Sequence, residues 1–80
     1  MSRKISQPKP GSINWNAVGQ RIRELRGFHM TQTEFAERIG ISQSYLSTVE
    51  HGHVEAGAEV LLAISREFGK SIEWLLTGEQ

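Results

Sequence analysis

Residues 31–52, TQTEFAERIGISQSYLSTVEHG, read as two short amphipathic helices meeting at a tight corner. Thr31 and Glu34 form the reciprocal S/T-x-x-E capping box of a helix start, and Met30 can pack on Phe35 across it. Phe35, Ala36 and Ile39 make the inward face. Gly40 then ends the helix, because a residue just past a helix usually turns left-handed, at roughly 1 kcal/mol or more for a side chain with a Cβ. Ser42 caps the next helix at once, Ile41 staples to Leu46, Val49 follows at i+3, and Gly52 supplies the stop. Two helices joined by about three residues cannot lie side by side, so they cross steeply, with Ala36 small where the backbones approach. This is a helix-turn-helix. Its second member turns Gln, Ser, Tyr and Thr outward, a polar row without charge.

Helical spacing continues on both sides. Upstream, Val18, Ile22 and Leu25 fall on one face of a helix from about Trp15 to Arg26, with Asn14 as cap and Ile13 placed to staple onto Val18. Downstream, Val60, Leu61, Ile64 and Phe68 predict a fourth helix from about Gly57, ended by Gly69, and Ser71 caps a short fifth through about Leu76. Trp15, Trp74, Leu75 and Leu76 suit the core, a dimer surface, or both, with at least one of the last three in the core. No Asn-Gly or Asp-Gly hairpin turn occurs, and the β-branched clusters keep helical period, so the fold class is all-α, with five helices. Met1 to Ser12 holds both prolines, a glycine and three basic residues, the composition of a flexible arm; residues 13–80 form one compact domain.

Eighty residues permit one small core, with only about 60% of the unfolded surface buried. Cysteine is absent, which removes disulfides and thiolate chemistry and suits a cytoplasmic setting. No apolar run is long enough for a membrane span, and no membrane association is expected. Net charge is zero, yet unevenly spread: residues 1–26 hold Arg3, Lys4, Lys9, Arg21, Arg23 and Arg26 against Glu24, 6 − 1 = +5, leaving −5 for residues 27–80.

The helix pair, together with RIRELR in the first helix, VEHG ending the third, LLAISREFG in the fourth and SIEWLLTGE near the end, resembles the lambda-repressor-like, Cro/C1-type (XRE) helix-turn-helix domains of phage repressors and bacterial regulators. The resemblance implies a sequence-specific binder of double-stranded DNA, a transcriptional regulator of repressor type. It implies a homodimer on a pseudo-palindromic operator, with one recognition helix per half-site. Base-edge contacts would fall on Gln43, Ser44, Ser47 and Thr48, whose amide and hydroxyl groups suit the donor and acceptor code of the major groove. Contacts to the DNA backbone would come from the start of the second helix, Thr31, Gln32 and Thr33, where free amides and the helix dipole favour an anion, and from Tyr45 and His51. Gln32 would also brace Gln43. Arg26 and Glu50 match an ion pair that ties the first helix to the third. Arg3, Lys4 and Lys9 of the arm are candidates for a neighbouring groove.

One stretch departs from the family. Where relatives carry a basic loop, this chain has His53, Val54, Glu55 and Ala56, which weakens DNA contact there. That acidity supports an alternative on the same fold, an antitoxin-like or adaptor module with weak or secondary DNA binding. His29, His51 and His53 lack the partners of a metal site, so neither metal nor cofactor is expected. No small-molecule ligand is evident. No nucleophile sits in a motif such as G-x-S-x-G, and the chain reads as a non-enzyme.

Overall fold

The computed structural model describes residues 12–79, and Arg3, Lys4 and Lys9 lie outside the described residues. Five helices follow in order: α1 Trp15–Arg26, α2 Gln32–Ile39, α3 Gln43–Glu50, α4 Ala58–Phe68 and α5 Ile72–Thr77. No strand occurs among the described residues. None of the helices is long and apolar enough to cross a membrane.

Each boundary has a local cause. Asn14, Thr31, Ser42 and Ser71 accept hydrogen bonds from backbone amides three residues on, which satisfies donors that a helix start leaves open. The Thr31 box is complete: the Glu34 amide donates to Thr31 Oγ1 at 3.1 Å and the Thr31 amide to Glu34 Oε1 at 2.9 Å. At the corner Gly40 is left-handed, φ 81° and ψ 28°, and the Ile41 amide reaches back to the Ala36 carbonyl at 3.0 Å. α3 stops the same way one element later. The His53 amide donates to the Thr48 carbonyl and the Gly52 amide to that of Val49, with Gly52 at φ 74°.

Two boundaries differ slightly from expectation. Gly57 is the cap of α4 rather than its first residue, and α5 runs one residue further, to Thr77, before Gly78 turns left-handed. The core is built from one or two faces of every helix: Val18 and Ile22 of α1, Phe35, Ala36 and Ile39 of α2, Leu46 and Val49 of α3, Leu61 and Ile64 of α4, and Leu75 of α5. Val60 and Phe68, expected to be buried, are half-buried at its edge, as are Trp15, Trp74 and Leu76. Phe68 still contributes, because its ring stacks on Phe35 with centroids 4.7 Å apart and planes 4° from parallel, which holds α4 against α2.

Candidate nucleic-acid interface

α3 is fixed by groups at its C-terminal end. Its last residue, Glu50, is 2% exposed and is the buried charged residue among those described. Its carboxylate accepts from Arg26 Nε at 2.8 Å on Oε2 and from Arg26 Nη2 at 2.9 Å on Oε1, a bidentate pair between α1 and α3. Gln32 Nε2 at the start of α2 donates to the same Oε1 at 2.9 Å. Three helices therefore meet on one carboxylate. Burial pushes the Glu50 carboxyl up, but the hydrogen bonds from Arg26 and Gln32 and the charges of Arg26 and Arg23 outweigh it and hold the group below the usual carboxylate range. The hydrogen bond to Glu50 likewise raises Arg26 against the opposing effect of its partial burial.

Two α1 residues that sequence reasoning passed over complete this anchorage. Arg23 Nη2 donates to the Glu50 backbone carbonyl at 3.0 Å, meeting the negative end of α3 with a cation. Gly19 lies where α1 crosses the end of α3, and a Cβ built there would stand 2.5 Å from the carbonyl oxygens of both Val49 and Glu50. A signal for Gly19 was present: glycine inside a helix costs about 1 kcal/mol relative to alanine and so asks for a packing reason. Arg23 left no such signal, because its partner is a main-chain oxygen 27 residues away.

The predicted site residues divide by what they already touch. Gln43 and Ser44 are exposed, Ser47 and Thr48 half-buried. Gln43 Nε2 donates to Gln32 Oε1 at 2.6 Å, so the expected bracing of one glutamine by the other is present. Thr48 Oγ1 donates to the Ser44 carbonyl at 2.9 Å, which leaves its oxygen lone pairs for an outside donor. Tyr45 is half-buried against the core, so part of its ring packs. His51 is exposed, with Nδ1 2.7 Å from the Ser47 carbonyl, leaving Nε2 as the ring's other polar atom. At the start of α2 the box accounts for the Thr31 and Glu34 amides, and Thr31 and Thr33 are exposed beside half-buried Gln32.

The described residues hold six Lys and Arg against nine Glu, 6 − 9 = −3. Most of those cations have internal partners. Besides Arg23 and Arg26, Arg21 Nη1 donates to the Leu75 carbonyl at 2.9 Å, Arg38 lies 3.6 Å from Glu67, and the Lys70 ammonium sits 4.9 Å from the centre of the Trp74 ring. The α3 surface is thus a directional hydrogen-bonding surface with little cationic support around it. His51 and His53 have ring centres 5.9 Å apart, and among the described residues no three His, Cys, Asp or Glu side chains gather as a metal site.

Comparison with known proteins agrees with this architecture. The chain is 44% identical over 63 residues to a propionyl-CoA carboxylase regulator of Cereibacter sphaeroides, a match covering 78% of this chain and 14% of that protein. It is 38% identical over 55 residues to the antitoxin PezA of Streptococcus pneumoniae, covering 68% of this chain and 35% of the antitoxin. It therefore spans a minor part of the length of either. Among solved structures, the P22 c2 repressor in complex with a synthetic operator superposes with a TM-score of 0.71 at 32% identity, covering 78% of this chain and 96% of the repressor. Residues 21–75 match the helix-turn-helix family model. The chain belongs to that family, in its Cro/C1 (XRE) type.

Proposed function

We propose that the domain binds double-stranded DNA sequence-specifically and regulates transcription, as a repressor, by laying α3 in the major groove. The observation that carries this reading is the uncharged row of Gln43, Ser44, Ser47 and Thr48 on a helix anchored from its far end by buried Glu50. Fixed amides and hydroxyls discriminate bases, whereas charge alone positions a protein on any duplex. Thr31, Gln32 and Thr33 meet the phosphates at the start of α2, Tyr45 and His51 flank the reader, and Arg3, Lys4 and Lys9 supply further cationic contact. Two copies bind a pseudo-palindrome, one α3 per half-site. The likeness to a repressor whose structure holds an operator, and to a regulator, supports this.

A fluorescence-anisotropy titration with random duplex over a salt series, followed by selection of bound sites from a random pool, tests it. Association that weakens as salt rises and an inverted repeat with half-sites about one helical turn apart are expected. Absence of any association at low salt sinks the reading.

A second reading is favoured by two observations. Phe28, in the α1–α2 connection, is wholly exposed between two open grooves, and the described residues are net acidic. Both suit an antitoxin-like or adaptor role in which a protein partner is the main ligand and DNA binding is secondary, in keeping with the likeness to an antitoxin. The same titration separates the two.

A further inference from the structure

The donors and acceptors along Glu50, Gln32 and Gln43 have one consistent order. An ionised carboxylate has no proton to give, so the Gln32 atom facing it at 2.9 Å is the nitrogen. Gln32 must then turn its carbonyl oxygen toward α3. The Gln43 atom that meets this oxygen at 2.6 Å is, for the same reason, its nitrogen. Glu50 is not free to relax the order, because both its oxygens also accept from Arg26, at 2.8 and 2.9 Å. A primary amide has two N–H donors and one carbonyl acceptor. With one N–H of Gln43 held inside the protein, one donor and one acceptor remain for an outside ligand.

We propose that Glu50, acting through Gln32, is a positioning residue that fixes which way round the Gln43 amide faces a base, and so makes Gln43 select adenine over guanine. The inference rests on the reading of α3 as a major-groove helix. Adenine offers one acceptor, N7, and one donor, the N6 amino group, the complement of what Gln43 has left. Guanine offers two acceptors, N7 and O6, so the Gln43 carbonyl would face an oxygen with no proton between them. Turning the amide over to relieve that contact would set the Gln43 carbonyl against the Gln32 carbonyl. A glutamine without this chain behind it turns over freely and loses much of its discrimination. Base choice is thereby written partly by a carboxylate that is 2% exposed.

The test uses the full chain and sites selected from a random pool. The position read by Gln43 is the one whose preference collapses in Gln43→Ala. Affinity is then measured at fixed salt for two duplexes that carry A·T or G·C at that position only. The wild type should prefer adenine by about tenfold or more. Gln32→Met removes the chain while leaving the Arg26 and Glu50 pair intact, and should bring the ratio to within about threefold, with preferences at the other positions kept. Glu50→Gln removes the fixed polarity, because a neutral amide cannot keep both Arg26 bonds and can present either its oxygen or its nitrogen to Gln32. Its ratio should fall well below that of the wild type, and a ratio equal to the wild type overturns the role of Glu50. A Gln32 that serves only as a phosphate clamp would weaken both duplexes equally, and an unchanged ratio in Gln32→Met overturns the proposal. In the unbound protein, one Gln43 side-chain amide proton should exchange slowly in wild type and fast in Gln32→Met; equal exchange in the two overturns it without DNA. Failure of the wild type to bind any duplex overturns the major-groove reading itself, an outcome distinct from binding with an unaltered ratio.

Discussion

The α-carbon of Gly19 faces the carbonyl of Glu50 so closely that a methyl group on Gly19 would lie 2.5 Å from that oxygen. Neither neighbour can step aside, since both Val49 and Glu50 present backbone oxygens there. Gly19→Ala should therefore run against the usual trend. Alanine gains about 1 kcal/mol of helix propensity, but forcing α1 and α3 apart costs more, typically up to about 3 kcal/mol for overpacking. A net loss near 2 kcal/mol is expected from urea unfolding, with weaker DNA binding because α3 shifts. A Gly19→Ala protein as stable as wild type would mean the two helices do not pack this closely in solution.

Arg26→Met leaves the Glu50 carboxylate buried with only Gln32 and the more distant Arg23, whose Nε is 4.0 Å away. Breaking a buried pair by removing one partner costs about 3 to 5 kcal/mol. Arg26 keeps some solvent access, with 19% of its side chain exposed, so the lower figure is expected. The double change Arg26→Met, Glu50→Leu should recover much of the loss, because a pair of apolar residues leaves no stranded charge. A double variant no more stable than the single one would contradict this account.

Acid should loosen the same joint. The folded Glu50 carboxyl lies below its unfolded value, so its contribution is present at neutral pH and is lost as pH falls through the folded pKa. With an unfolded value of about 4.3, the decline attributable to Glu50 sets in by roughly pH 5 and is complete only below the folded pKa. Unfolding free energies of wild type and Glu50→Gln measured from pH 7 downward should converge on the acid side. Curves that stay parallel would remove Glu50 as the cause.

Gln43→Ala should relax preference at one base position by about 1 to 3 kcal/mol, with little effect on binding to random duplex. Quantitative binding to single-base operator variants measures this. A uniform loss over all positions would instead make Gln43 a backbone contact.

Phe28→Ser touches nothing buried and should change stability by no more than about 0.5 kcal/mol. On the DNA reading it should leave operator affinity intact; a large loss of affinity would place the α1–α2 connection at the interface.

Much of the architecture was legible because its signals are local. Caps at Asn14, Thr31, Ser42 and Ser71 and stops at Gly40, Gly52 and Gly69 each act within a few residues, so they could be read from spacing and side-chain chemistry alone. Burial of Phe35, Ala36, Ile39, Leu46 and Val49 followed from helical period. Val60 and Phe68 illustrate the limit: period says which face is inward but not how far a small core extends over it. At the site, the Arg26 and Glu50 pair and the link from Gln32 to Gln43 were each anticipated through family resemblance. That both converge on the Glu50 carboxylate was not, because the convergence depends on how α2 crosses α3. The Arg23 contact and the Gly19 approach are likewise set by helix crossing, and backbone oxygens carry no side-chain identity to read.

Because Gln43 hydrogen-bonds to α2 and Ser44 lacks such a tie among the described bonds, the reading surface divides into a coupled and an uncoupled part. If α3 reads bases as proposed, a replacement at Ser44 should shift operator preference in a single mutational step. A new residue at position 43 takes from the Gln32 carbonyl its partner on α3, so retargeting there is coupled to the residue at the start of α2. Adaptation of this chain to new binding sequences is therefore expected to proceed most readily through its uncoupled positions, with the tethered glutamine holding one letter of the address constant.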